Sequence, residues 1–130
     1  ADDVIATLVA RHDGECIVVS ADLDLCAAVS GRTSLVRPPE WGIRLGPDDV
    51  YEKLGVWADQ VCAYKALRGD VSDNVAGVPG IGHKTACKLL ETHGTFEVVL
   101  VTLTPDQRKA ARFAWSLVAL RTDVPMEENP

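Results

Sequence analysis

Three pairs of acidic residues have the chemistry and the spacing to bind divalent metal ions. One pair opens a predicted helix, one follows a predicted strand and one lies in a predicted turn: Asp2 and Asp3, Asp22 and Asp24, and Asp70 and Asp73. Clustered carboxylates repel one another unless cations are bound, and Mg²⁺ and Mn²⁺ prefer oxygen ligands. Two such ions roughly 4 Å apart can generate a hydroxide and stabilise the leaving oxygen of a phosphodiester. The pairs therefore indicate a two-metal hydrolytic site.

Each pair also has a purely structural interpretation, which the residues alone leave open. Acids in a first helical turn, such as Asp2, often only complement the helix dipole, and Asp22 could cap the helix that follows it. Asp70 and Asp73 could be ordinary turn residues. The presence of all three pairs favours metal binding, because ligand sites of open α/β sheets lie at the carboxyl ends of strands, where Asp22 falls.

A glycine-rich turn between two predicted helices is the second chemical feature. Its G-x-x-G-x-G run, from Gly77 to Gly82, is followed by His83 and Lys84. Glycine lets the backbone approach a ligand closely, and N–H groups at the start of the next helix can hold a phosphate. A plain helix–turn–helix corner is the alternative. The continuation into Lys-Thr-Ala favours a nucleic-acid backbone contact, which gives affinity without reading sequence.

The predicted elements place both features in an α/β fold. The first 45 residues alternate between helix and strand, and the remainder is helical. Helices are predicted at 2–11, 23–29, 47–54, 57–68, 84–92 and 105–120, strands at 16–19 and 33–37, and an edge strand at 40–45. Segment 95–103 is short and mostly apolar. The strand at 16–19 is expected to be central and parallel, because it is a continuous apolar run.

Composition bounds the class of protein. The chain has 130 residues, of which 47% are apolar and 25% charged, as in a single soluble domain. No apolar run reaches the roughly 18 residues of a membrane span, and no signal peptide is recognised. The four cysteines are expected to be buried free thiols, without a zinc site. We therefore expect no membrane partner and a cytoplasmic location, in a bacterial nucleoid or as a phage protein in its host.

Net charge separates two classes of nucleic-acid-binding protein. The value of −6 argues against a simple binding module, which usually carries a basic surface. It does not argue against a metal-dependent nuclease, because bound cations offset clustered carboxylates. The chain lacks an initiator Met, so we expect a fragment or a trimmed chain.

Three segments resemble one enzyme family. ALRGDVSDNVAGVPGIGHKTACKLL, residues 66–90, is similar to the core motif of the 5′–3′ exonuclease and flap endonuclease family. ADDVIATL and VSADLDL also resemble it, in the family's order. The resemblance implies that residues 1–46 are the C-terminal part of an α/β catalytic core with a partial PIN-like sheet. Residues 47–130 would be a helical DNA-binding region with a helix-hairpin-helix motif at 57–93.

The resemblance implies a role for each acidic pair. The pair at the first helix would help to hold the first metal ion, and the pair in the turn would complete the second site. Asp22 would lie between the two ions, and Asp24 would lean toward the second. All six acids are thus expected ligands of two Mg²⁺ or Mn²⁺ ions. The expected catalytic residues are Asp22, Asp24 and Lys84.

The resemblance also implies a DNA-binding surface. Lys84 would meet the DNA backbone downstream of the cut. The residues expected to bind DNA are Gly77, Gly80, Gly82, His83, Lys84 and Thr85. Backbone carbonyls of the turn, at Val78 and Ile81, would bind a K⁺ ion that bridges to a DNA phosphate.

The chain departs from the family pattern in two ways. Ala21, Ala76 and His83 stand where Gly, Pro and Glu are usual, and none of these changes removes a ligand. His83 is expected to be an exposed bystander, with a pH-dependent phosphate contact as the alternative. The family's first-strand Asp, a second Asp, its helical arch and a Glu before residue 1 are not in this sequence, so the first ion would lack most of its ligands.

Together these features predict a structure-specific 5′ nuclease of DNA replication and repair, acting on duplex DNA with a 5′ flap or a 5′ end. A monomer is expected, with a preceding N-terminal segment or a fused polymerase as its partner. The alternative is a DNA-binding fragment that does not cut. A PIN-like ribonuclease is disfavoured, because the hairpin indicates duplex DNA.

Overall fold

The computed structural model describes residues 2–125. The α-helices of this part are α1 (Asp2–Arg11), α2 (Pro47–Leu54), α3 (Val61–Arg68), α4 (His83–His93), α5 (Phe96–Thr102) and α6 (Pro105–Val118). Two strands and two 3₁₀ helices complete it: β1 (Cys16–Val19), β2 (Thr33–Val36), Leu23–Ala28 and Ala58–Gln60. The order confirms an α/β segment followed by a helical region.

The two strands form a parallel pair, as predicted for β1, but within residues 2–125 the sheet has two strands and β1 is not central. Cys16 lies opposite Thr33, and Val19 lies opposite Val36. The connection between them contains the 3₁₀ helix Leu23–Ala28, where the sequence predicts a short helix. Parallel strands need a crossover of this kind, because a two-residue hairpin cannot join them. The carboxyl end of β1 therefore opens toward the segment that carries the second acidic pair.

The edge strand predicted at 40–45 does not form. Only Leu45 pairs with the sheet, in a single antiparallel bridge to Leu35 with N–O distances of 2.8 and 3.0 Å. Pro38 and Pro39 precede this segment, and proline has no N–H group to donate to a ladder. The chain turns there and reaches α2 without adding a third strand.

Helix α3 is the centre of the helical region. Its residues Ala66 and Leu67 are fully buried, and α6 and α4 both pack against it. The helix predicted at 57–68 begins instead as the 3₁₀ turn Ala58–Gln60, in which the Gln60 side chain accepts the Trp57 N–H. Within residues 2–125, no helix is both long enough and apolar enough to cross a membrane.

The start of α6 is capped by a reciprocal pair of side chains. The Thr104 hydroxyl accepts the Gln107 N–H at 3.2 Å, the Gln107 side chain accepts the Thr104 N–H at 3.1 Å, and Pro105 takes the first helical position. This reciprocal pair satisfies two backbone donors that a helix otherwise leaves free. The helix ends at Val118, two residues before the predicted end.

The segment after α6 runs back onto α1. The Arg121 N–H donates to Asp3 Oδ1 at 2.9 Å, and the Val124 N–H donates to the hydroxyl of Thr7 at 3.2 Å. That hydroxyl donates in turn to the Asp3 carbonyl at 2.7 Å, and Thr7 is fully buried. These bonds hold the first turn of α1, and with it the first acidic pair, against the end of the helical region.

Candidate metal centre and nucleic-acid interface

The three acidic pairs meet in space. One carboxylate oxygen from each of Asp2, Asp22 and Asp24 lies within 4.8 Å of the other two, and the same holds for Asp24, Asp70 and Asp73. These residues come from the first turn of α1, from the end of β1 and from the loop after α3. The fold thus builds two adjoining sets of three carboxylates from elements that are distant in sequence. Asp2, Asp22 and Asp24 form the first carboxylate group, and Asp24, Asp70 and Asp73 form the second.

Asp22 and Asp24 take different places in the two groups, and their roles at the two ions stay predictions. The residue common to both groups is Asp24, whereas Asp22 belongs to the first group alone. Asp22 Oδ1 accepts the Asp24 N–H at 2.9 Å and caps the 3₁₀ helix Leu23–Ala28. Asp22 therefore caps the helix and also belongs to a carboxylate group. One of its oxygens accepts the capping hydrogen bond, and the carboxylate still borders the other acids.

Asp3 differs from the other five acids. Its Oδ1 accepts the Arg121 N–H, and it does not belong to either carboxylate group within the described residues. It nevertheless lines the same cavity as Asp2 and Asp24. Its role as a metal ligand stays a prediction, while its contact with Arg121 positions the start of α1.

The loop from Asp70 to Val75 holds the third pair. Asp70 and Val75 exchange both backbone bonds, at 2.8 and 2.9 Å, and close the loop. Asp70 Oδ1 accepts the Ser72 hydroxyl at 2.6 Å and the N–H groups of Ser72 and Asp73. The Ser72 hydrogen bond lowers the pKa of Asp70 to about 2, with a further contribution from Lys65. Asp70 is thus both a turn residue and an ionised carboxylate whose Oδ2 faces Lys65.

Lys65 is a central residue of the site that the sequence reasoning missed. Its ammonium nitrogen lies 2.7 Å from Asp24, 3.2 Å from Asp70 and 3.1 Å from Asp73. Burial alone would lower the pKa of Lys65, but hydrogen bonds to Asp24 and Asp73 outweigh burial and raise it. The available signal was its position one turn after Val61, a buried residue of the same helix.

A cavity of about 360 Å³ opens beside the carboxylates. Asp2, Asp24, Asp73 and Lys65 form its polar wall. The other wall is the apolar end of α6 and the residues after it, 117–120. The cavity is therefore the space through which a phosphodiester and cations could reach the carboxylates.

Gly77 and Gly69 bring the carboxylate loop and the glycine-rich turn into direct contact. A methyl group on Gly77 would lie 2.5 Å from the Gly69 nitrogen, and one on Gly69 would lie 2.7 Å from the Val75 oxygen. Both glycines have positive φ, at 72° and 88°. Gly77 therefore has a packing role in the loop, and its predicted contact with DNA stays a prediction.

Gly80 and Gly82 are open to solvent. A methyl group on either would meet no atom within 4 Å, so a ligand can approach the backbone there. Gly82 precedes α4 without a side-chain cap, and Lys84 and Thr85 are exposed in the first turn. Exposed N–H groups with an adjacent ammonium suit an anion. This is the geometry that a phosphate contact needs.

The other predicted residues of the turn have protein partners. His83 is exposed, but its Nδ1 lies 2.6 Å from the Tyr64 hydroxyl, which anchors the ring. The Val78 carbonyl accepts the Ile81 N–H at 3.1 Å, and the Pro79 carbonyl accepts the Gln107 amide at 3.3 Å. The K⁺ site at Val78 and Ile81 remains a prediction.

Sequence comparisons give the chain its relatives. The 5′–3′ exonuclease model, described as a C-terminal SAM fold, matches residues 56–130. The thermostable DNA polymerase I of Thermus aquaticus is 40% identical over 98% of this chain and 17% of the polymerase. DNA polymerase I of Bacillus caldotenax is 39% identical over 98% of this chain and 16% of the polymerase. The chain therefore spans about one sixth of the length of these relatives.

Solved structures show the same fold. The 5′-exonuclease of bacteriophage T5 with bound zinc has a TM-score of 0.68 at 24% identity, over 90% of this chain and 46% of that one. A T5 flap endonuclease in complex with DNA and metal ions has a TM-score of 0.68 at 23% identity, with the same coverage. Because the family model matches more than half of this chain, the chain belongs to the 5′–3′ exonuclease family.

Proposed function

We propose that this chain forms part of a structure-specific 5′ nuclease, which hydrolyses phosphodiesters of 5′-ended or 5′-flapped duplex DNA in replication and repair. The observation that carries the proposal is that two groups of three carboxylates meet in a fold that also presents an open glycine-rich turn, followed by the exposed ammonium of Lys84. Family membership and a T5 relative complexed with DNA and metal ions support it. A fused polymerase domain fits the polymerase relatives, and the protein would act as a monomer.

The donor atoms fit divalent cations that prefer oxygen. Each group offers three carboxylate oxygens within 4.8 Å of one another, and neither contains Cys or His. Hard ions such as Mg²⁺ and Mn²⁺ select this donor set. Two such ions would supply an activated hydroxide and stabilise the departing oxygen. Asp2, Asp22 and Asp24 would hold one ion, and Asp24, Asp70 and Asp73 the other.

The glycine-rich turn would hold the duplex while the bond is cut. Gly80 and Gly82 leave the backbone accessible, and Lys84 adds a positive charge at the start of α4. Contacts of this kind fix the register of DNA without reading its bases. A K⁺ ion at the carbonyls of Val78 and Ile81 would join the turn to a phosphate.

Replacement of the shared carboxylate tests the proposal. Asp24→Asn keeps the size of the side chain and removes its charge from both groups. In the full-length protein with Mg²⁺, we expect cleavage of a 5′-flap substrate to fall by more than about 100-fold, since loss of a ligand costs more than loss of an outer partner. Asp123→Asn is the control, because within residues 2–125 Asp123 pairs only with Arg121, outside the cluster. Full activity of Asp24→Asn would refute the metal role.

A second candidate function is duplex binding without cleavage by this chain alone. The observation that favours it is that the chain spans 46% of the T5 exonuclease chain. Binding of a fluorescent flap duplex and cleavage with Mn²⁺ should be measured on the same preparation. Binding with no turnover would support this candidate, and turnover lost in Asp24→Asn would exclude it.

A further inference from the structure

The ammonium group of Lys65 lies where a cation of the second carboxylate group would be bound. It is 2.7 to 3.2 Å from one oxygen of each of Asp24, Asp70 and Asp73. Those residues are the ones that can offer three oxygens within 4.8 Å of one another. The space between three oxygens so close together holds one cation. The protein thus already places a positive charge there.

The position of Lys65 is set by the fold and not by chance contact of a surface side chain. Its side chain is only 12% exposed, and it projects from α3, the central helix of the helical region. Asp70 is held by its own loop, because its Oδ1 is occupied by Ser72 and only Oδ2 faces Lys65. Among residues 2–125, no other basic side chain forms a salt bridge with these three acids.

We propose that Lys65 is a built-in counter-ion of the second metal site, which it fills in the metal-free protein and leaves when a divalent cation enters. This inference rests on the proposed function, in which the same acids bind a metal ion. An ion at Mg²⁺–oxygen distance, about 2.1 Å, from these oxygens would come too close to an ammonium about 3 Å from them. Two cations in that space would also repel strongly.

Two consequences follow for the protein. The metal-free state is stabilised, because three clustered carboxylates are never left without a positive charge. Metal binding is weakened, because an entering ion must break three contacts and move the ammonium away. Lys65 borders the cavity of about 360 Å³, which gives the released group room beside the carboxylates. Lys65 is thus a positioning residue for the site and a determinant of its metal affinity.

Calorimetric titration with Mn²⁺ tests the proposal. Lys65→Met keeps an unbranched apolar stem and removes the charge. We expect Mn²⁺ to bind this variant at least about tenfold more tightly than the wild type, because the competing cation is gone. The melting temperature in EDTA should fall, and its rise on adding Mn²⁺ should exceed that of the wild type.

Arg68→Met is the matched control. It lies on the same helix and gives the same net charge, but its guanidinium lies over the Tyr64 ring and makes no salt bridge with the carboxylates in the described residues. We expect its Mn²⁺ affinity to stay within about twofold of the wild type, since an exposed charge is screened by solvent and salt. An equal gain in both variants would show a general charge effect and overturn the proposal.

Chemical labelling of the wild type avoids any folding defect of the variant. Reductive methylation followed by peptide mapping should modify Lys65 slowly in EDTA and several-fold faster in saturating Mg²⁺, since only a released amine is accessible. The exposed Lys109 should react equally in both. Protection of Lys65 that is unchanged or increased by Mg²⁺ would overturn the proposal.

The outcomes separate this inference from the proposed function. Equal Mn²⁺ affinity of wild type and Lys65→Met would remove the counter-ion role and leave the metal site intact. Absence of Mn²⁺ binding in both proteins would remove the metal site, and with it both the proposed function and the counter-ion role.

Discussion

At Gly77 the backbone of the glycine-rich turn passes so close to the preceding loop that no side chain fits. Its φ of 72° and the Gly69 nitrogen 2.5 Å from a hypothetical methyl group both exclude other residues. Gly82 lies five residues on in the same turn with a φ of −100° and open space around it. Two glycines of one motif therefore serve different purposes, one for packing and one for access.

Alanine substitution at these two glycines should separate the purposes. We expect Gly77→Ala to lower the free energy of unfolding by about 2 kcal/mol or more, because the methyl group meets backbone and φ is strained. Gly82→Ala should cost less than about 1 kcal/mol, mainly through a poorer helix start. Urea denaturation of both variants measures the difference. Similar losses in the two would contradict the close approach at Gly77.

Among the secondary-structure elements, the return of residues 119–124 onto α1 uses one buried hydroxyl besides the carboxylate of Asp3. Thr7 both donates to the Asp3 carbonyl and accepts the Val124 N–H. Thr33 in β2 is also buried, but its hydroxyl has no hydrogen-bond partner in the described part of the chain. The two threonines thus offer a matched pair for measuring what the docking contact contributes.

Valine at either position removes the hydroxyl and keeps the shape. We expect Thr7→Val to destabilise the protein by about 1–3 kcal/mol, because the Val124 N–H loses its partner. Thr33→Val should be neutral or stabilising, because an unsatisfied buried hydroxyl is removed. Thermal unfolding gives the free energies, and faster amide exchange at Val124 in Thr7→Val alone would locate the effect. Equal destabilisation by both changes would argue against the docking role.

Elements with strong local signals were predictable, and contacts between distant elements were not. The cap at Thr104 and the apolar run of β1 identify their elements without tertiary information. The prediction of an edge strand at 40–45 was wrong. Apolar residues give a segment the pattern of a strand even when it has no neighbouring strand to pair with. The carboxylates of the site were predicted from their types and spacing. Lys65 was missed, because its position one turn after Val61 indicates only burial. Its ion pair with Asp24 depends on the fold, which brings the two residues together.

The net charge of the protein is opposite in sign to the charge of Lys84 at its proposed DNA-binding turn. The net charge is −6, yet the turn proposed to bind DNA presents Lys84 in open solvent. Binding to a polyanion against an unfavourable net charge must rely on a few local phosphate contacts. Each such contact releases counter-ions from DNA, so the affinity should fall steeply with salt.

Lys84→Ala should change that salt dependence in a countable way. We expect weaker duplex binding and a log–log salt slope smaller by about one, the loss of a single phosphate contact. Fluorescence anisotropy over a series of KCl concentrations measures the slope. Lys109→Ala on α6 is the control, because it removes one exposed positive charge that is not part of the turn. An unchanged slope and affinity in Lys84→Ala would show that the turn is not the grip on DNA.

The backbone contact between Gly69 and Gly77 has a consequence for where a strand is cut. Gly69 adjoins Asp70, and Gly77 begins the turn that precedes α4 and Lys84, so the two functional loops are in contact through their backbones without intervening side chains. If the proposed function is correct, the distance from the phosphate bound at the turn to the scissile bond is then constant. Incision should fall at a constant nucleotide spacing from that phosphate, whatever the base sequence between them.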